Sequence, residues 1–78
     1  MKYIIFEDFS GEPTPVIFPE RVAFEEMREQ IPYPRVVSAG ILRLQDNVLH
    51  CSGEARELGK ASTDQDSAVI AGYLRGSK

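Results

Sequence analysis

Arg35–Gly53 reads RVVSAGILRLQDNVLHCSG. Side chains of an extended chain alternate between two faces. Val37, Ala39 and Ile41 would therefore share one face, and Val36, Leu42 and Leu44 the other. A segment apolar on both sides suits a central strand buried on both faces. Ser38, Ala39 and Gly40 are small, so a bulky group or another backbone can approach closely there. Gln45, Asp46 and Asn47 form the turn, because short amides and carboxylates tolerate left-handed backbone and bond their own main chain. Val48 to Ser52 returns as the second strand of a hairpin that belongs to the core.

Upstream, Lys2 to Phe9 is rich in β-branched and aromatic residues and reads as a strand. Ser10, Gly11, Glu12 and Pro13 break it, and Thr14 to Phe18 pairs back, with Pro15 at an edge or at the strand's start. Pro19 and Glu20 open a helix. Its apolar stripe is Phe24, Met27 and Ile31 with Ala23 alongside, and Glu25, Glu26, Arg28 and Glu29 face away. Pro32-Tyr33-Pro34 ends it and connects into the central strand.

Downstream, Gly53 is a bulge or the end of the strand. Glu54 to Leu58 is read as a further strand, with a short turn as the alternative, and Gly59 to Ala61 as a loop. A last helix begins near Ser62 or Thr63, since Ser62 with Gln65 and Thr63 with Asp66 both have capping-box spacing. Val69, Ile70, Tyr73 and Leu74 make its buried stripe, Gly76 stops it, and Ser77 and Lys78 fray. The expectation is one α+β domain over 1–78, ordered ββαββ(β)α, with a mainly antiparallel sheet and two helices packed on a face.

The chain has 78 residues, near the lower limit for a self-sufficient core. One cysteine, Cys51, forms no internal disulfide, and no metal-ligand cluster is visible. Two short helices could cover one face of a two-faced sheet, which leaves the other needing a cover. A homodimer, or a protein partner, is the expected remedy. The net charge of −3 and the scattered basic residues argue against nucleic acid, unless the fold gathers Arg21, Arg28, Arg35 and Lys60. No apolar run approaches the ~20 residues needed to span a membrane. A lone cysteine and an early acidic N-terminus suit a cytoplasmic protein.

Little catalytic chemistry can be assembled. His50 and Cys51 are adjacent, so on a strand they point to opposite faces and cannot share a metal or form a catalytic pair. Cys51 reads as a small buried hydrophobe and His50 as an exposed or hydrogen-bonded strand residue. Glycine-lysine at Gly59-Lys60 falls short of a phosphate loop, which would need glycine at Glu54 and a hydroxyl at Ala61. An anion site at the start of the last helix is opposed by its own Asp64 and Asp66. Glu54 with Glu57, and Asp64 with Asp66, read as surface charge. No catalytic, cofactor-binding or metal site is therefore assigned.

The segments Phe18-Pro19-Glu20, Val36 to Gly40, Ser52 to Gly59 and Ser62 to Ile70 together resemble small uncharacterised bacterial and prophage proteins, a family of unknown function. That resemblance implies a phage-derived accessory protein and no catalytic or binding residue. The leading expectation is a small non-catalytic protein-interaction module. The alternatives are a small-ligand or nucleic-acid binding regulator, with Tyr33, Arg35, Arg43, Arg56 and Lys60 converging, and a minor enzyme using His50 or Cys51.

Overall fold

The computed structural model describes residues 1–76; Ser77 and Lys78, expected to fray, lie outside the described residues. A four-stranded antiparallel sheet is built from β1 (Lys2–Glu7), β2 (Pro13–Phe18), β3 (Arg35–Gln45) and β4 (Val48–Ser52), in the order β2-β1-β3-β4. The helix α1 (Phe24–Gln30) carries the chain from β2 across β1 to β3. A small ribbon, β5 (Glu54–Ala55) with β6 (Lys60–Ala61), packs against β3, and α2 (Asp66–Leu74) closes the chain. The α+β class expected from the sequence is the class observed.

The two helices cover opposite faces, which corrects the expectation that both lie on one. Ile4, Phe6, Phe18, Phe24 and Ala39 form the core beneath α1, joined by Met27 and Ile31 of the expected stripe. Tyr3, Ile5, Leu42 and Ile70 form a second core beneath α2. Alternation along β1 explains the division: Ile4 and Phe6 point one way, Tyr3 and Ile5 the other, and all four are buried. The pair of helices therefore suffices for the centre of the sheet. The strip left uncovered lies at its end, where Leu44 is 66% and Val48 53% exposed.

Along β3 the alternation is broken once. Ile5 pairs with Ser38 but Phe6 pairs with Val36, so Val37 is the extra residue of a β-bulge and stands half exposed. The bulge turns Val36 onto the α1 face with Ala39 and Ile41, instead of onto the face of Leu42. The turn into β4 uses only Asp46 and Asn47, both left-handed (φ 51° and 64°), as a two-residue primed hairpin requires. The first hairpin is tied by Asp8, whose carboxylate accepts the Ser10 and Glu12 amides at 2.8 and 2.9 Å. Phe9 falls outside β1 and is exposed.

Further local expectations change. The first helix starts at Phe24, not Pro19; residues 19–23 form a turn closed by the Val22 amide on the Pro19 carbonyl. Ala23 has no side chain to accept from the helix start, and Glu26 completes only the other half of a capping box by accepting the Ala23 amide at 3.3 Å. Arg28 does not face away: it donates to the carbonyls of Tyr33 and Pro34 and lies 5.9 Å from the Phe6 ring centre. Residues 54–58 are strand only at Glu54–Ala55, followed by a 3-10 turn over Arg56–Leu58, and Lys60–Ala61, expected as loop, returns as β6 paired to β5. In α2, Ile70 is buried and Val69 half-buried, whereas Tyr73 and Leu74 are exposed.

Candidate functional site

The small residues of β3 are approached closely, as their size suggested. Tyr3, Ser38, Thr63 and Asp66 meet in one hydrogen-bonded cluster between the sheet and the start of α2. Tyr3 donates its hydroxyl to Asp66 Oδ2, and Ser38 donates to Oδ1 at 2.8 Å. Thr63 adds its backbone amide at 3.0 Å and its hydroxyl at 2.6 Å. The helix start expected at Ser62 or Thr63 is not the one observed: α2 begins at Asp66, its N-cap Gln65 makes no side-chain cap bond, and the Thr63–Asp66 spacing supplies only half of a capping box, with the carboxylate accepting the Thr63 amide. Gly40 leaves the room: a Cβ there would stand 2.5 Å from the Ser52 carbonyl oxygen and 3.2 Å from the Tyr3 hydroxyl.

Burial pushes the Asp66 carboxyl up. Hydrogen bonds from the Thr63 hydroxyl, the Tyr3 hydroxyl, the Thr63 amide and Ser38 outweigh it and hold the group below the usual carboxylate value. Burial, reinforced by the hydrogen bond to Asp66 and by its charge, raises the Tyr3 phenol well above its ordinary value. Asp66, Tyr3 and Ser38 are all buried, and among the described residues no buried side-chain polar atom lacks a partner. A carboxylate sealed from solvent with its acceptor positions filled is a clasp holding α2 onto the sheet. It offers no open position to a substrate.

His50 and Cys51 occupy opposite faces of β4, as alternation requires. Cys51 is half-buried in the α2-side core, and His50 is exposed across from Arg43. Burial raises the Cys51 thiol, the Tyr3 hydrogen bond lowers it in part, and the Asp66 charge raises it again. A raised thiol is a poor nucleophile at neutral pH. Among the described residues, no group of three or more His, Cys, Asp or Glu is placed to hold a metal ion. Glu54 is ion-paired with exposed Arg56 at 2.9 Å. A cleft of about 640 Å³ lies between the first hairpin and α2, lined by Asp8, Glu12, Thr14, Val69 and Tyr73. Its Asp8 carboxylate is already engaged by the turn amides.

The basic residues gather in part. Arg28, Arg35 and Lys60 line a shallow cleft of about 290 Å³ floored by Val36 and Leu58. Tyr33 lies beside it, its ring edge-on to Phe6 and to exposed Phe9. Arg35 is partly engaged by Glu7 at 3.4 Å. Arg43 lies on the far half of β3, opposite His50, and Arg56 is paired with Glu54, so neither of the two lines this cleft.

The two rims of the sheet differ in kind. The Leu42 amide donates to the Met1 carbonyl at 2.7 Å, so the Leu42 backbone turns toward β1 and away from β4. Hydrogen-bonding direction alternates along an antiparallel strand. Cys51, opposite Leu42, and Leu49, opposite Leu44, therefore aim their amides and carbonyls outward from β4. The same alternation turns Ile4 and Phe6 toward β2 and leaves Pro13, Pro15 and Ile17 facing outward there. Two of those three positions have no N–H, a common way of blunting an edge strand. The β4 rim has no proline and no Asp, Glu, Lys or Arg.

Sequence reasoning missed both the clasp and the open rim. The signals were present as the Thr63–Asp66 spacing, the small Ser38 and Gly40, and the unequal placement of proline. Among the described residues, no helix is long and apolar enough to cross a membrane. No family model, curated protein or solved structure matches the chain.

Proposed function

We propose that the chain is a small non-catalytic interaction module that docks a partner strand along β4. The observation that carries this reading is the contrast between the rims. The β2 rim is blunted by Pro13 and Pro15, whereas Leu49 and Cys51 present amides and carbonyls outward beside exposed Leu44 and Val48. An exposed apolar edge of this kind templates strand addition, in which main-chain hydrogen bonds give affinity and alternate side chains give specificity. The sealing of Asp66 and the raised Cys51 thiol support a role without catalysis. The lone cysteine supports a cytoplasmic setting, and the prophage resemblance supports an accessory role.

Leu49→Pro is the test, because it copies onto β4 the device already found on β2. Proline removes an outward amide while leaving the β3–β4 ladder intact. Wild-type and variant chains, each immobilised, are exposed to lysate of the host and washed. Loss of the retained partner with Leu49→Pro is the expected result. Equal retention by both chains, with both folded by circular dichroism, removes β4 as the docking element.

A second reading has its own support in the cleft of Arg28, Arg35 and Lys60 beside Tyr33. Cations next to an aromatic ring suit a small anionic ligand or single-stranded nucleic acid. Mixed nucleic acids at low salt provide the test. Retardation that disappears with Lys60→Glu supports it, and free migration of the nucleic acid at high protein concentration disposes of the nucleic-acid version.

A further inference from the structure

The geometry points to a second copy of this chain as the strand that β4 receives, related by a two-fold axis through His50; the inference rests on the docking role proposed for β4. The outward-facing residues of β4 are Leu49 and Cys51, placed symmetrically about His50. A partner running antiparallel on that axis sets Leu49 of each copy opposite Cys51 of the other. Both are then hydrogen-bonded pairs, so each exchanges two backbone bonds and the outward groups of Leu49 and Cys51 on both copies are used at once. Shifting the axis to Leu49 or to Cys51 uses only one of the two positions in a central pair and carries the other toward the turn or toward Gly53. The requirement of an isologous interface, that one patch be complementary to itself, is met by the strand VLHCS as it stands.

The side chains agree with this register. On the α2 side, Leu49 meets Cys51 of the other copy, flanked by Leu44, which is 66% exposed in the single chain. On the other side, Val48 falls opposite Ser52 of the other copy, and the two His50 rings face each other. Gly53 has φ +80° and turns the chain away, with its carbonyl accepting the Ser62 amide at 3.0 Å. Pairing therefore ends at Val48 and Ser52, and Asp46 is not brought against Glu54 of the second copy. Five residues per chain make a small contact, so association belongs at the weak end of specific interfaces and depends on concentration.

The register places His50 on the axis and so predicts a charge-swap result. In a non-hydrogen-bonded antiparallel pair, the two copies of residue 50 stand closer than in any other pairing. His50→Lys and His50→Glu change an exposed side chain, and each places like charges on the axis. Sedimentation equilibrium is run on the wild type, on each variant and on an equal mixture of the two variants. The expected results are a dimer for the wild type, weakening by about tenfold or more for each variant alone, and recovery as a mixed dimer in the mixture. A wild type that stays monomeric up to millimolar concentration overturns the inference, and so do variants that dimerise as the wild type does or a mixture that recovers nothing. Leu49→Pro separates the two levels. If the wild type is monomeric but Leu49→Pro still abolishes retention of a host protein, the second copy is wrong and the docking role stands. If Leu49→Pro alters neither self-association nor retention, both fall.

Discussion

Replacing Asp66 by alanine should strand two buried hydroxyls, and the effect of removing one of them should then change sign. Asp66 accepts four hydrogen bonds, from Tyr3, Ser38 and the amide and hydroxyl of Thr63. Thr63 is exposed and turns its groups to water; Tyr3 and Ser38 are fully buried and cannot. A buried donor without a partner costs about 1–3 kcal/mol, so two give a loss of about 4 kcal/mol for Asp66→Ala. Domains hold about 0.05–0.15 kcal/mol per residue, so a chain of 78 residues loses a large share of its stability. Tyr3→Phe in the wild type removes one donor from a carboxylate that keeps three others, at a cost of about 1–2 kcal/mol. In the Asp66→Ala background the same change removes a stranded hydroxyl and should restore about 1–2 kcal/mol. The four proteins are compared by urea unfolding followed by far-ultraviolet circular dichroism, with sucrose in all samples to keep the weakest folded. Additive single effects, with no reversal for Tyr3→Phe, would refute the clasp as the link between α2 and the sheet.

Stability should fall at both extremes of pH. The Asp66 carboxyl is held below its unfolded value, so its contribution is present above about pH 4 and is lost as the pH falls through the folded value. Tyr3 is raised, so its neutral form stabilises below about pH 10, and stability is lost at higher pH as the unfolded phenol ionises first. Chemical unfolding across pH should therefore show an acid limb that is reduced in Asp66→Asn and an alkaline limb that is reduced in Tyr3→Phe. Gly40→Ala should cost about 1–3 kcal/mol, because the new methyl group meets the backbone oxygen of Ser52; a urea midpoint unchanged from wild type contradicts that packing. Asn47→Gly should add about 0.5–1 kcal/mol, since glycine fits the left-handed second position of the turn; a lower melting temperature would contradict the assigned turn.

What could be read in advance was local. The alternation in Lys2–Phe9 and Val36–Leu44, the turn residues Asp46 and Asn47, and the stripe of Phe24, Met27 and Ile31 needed only neighbours a few positions away. Asp66 read as surface charge because its partner Tyr3 lies 63 positions distant, and no short window contains both. Arg28 read as a solvated charge because the carbonyls that hold it become available only after Pro32-Tyr33-Pro34 folds back beside the helix. The bulge at Val37 defeated strict alternation, since one extra residue reassigns the facing of Val36. The placement of one helix on each face follows from both sides of β1 being apolar, since each side needs its own cover.

Pro13 and Pro15 disfavour growth of the sheet from its β2 side. A molecule adhesive on both flanks would propagate without limit into a fibril. Here two of the three outward positions on one flank cannot donate, so that flank is a poor acceptor of a further strand and an alliance struck by the other is favoured to stop after a single addition.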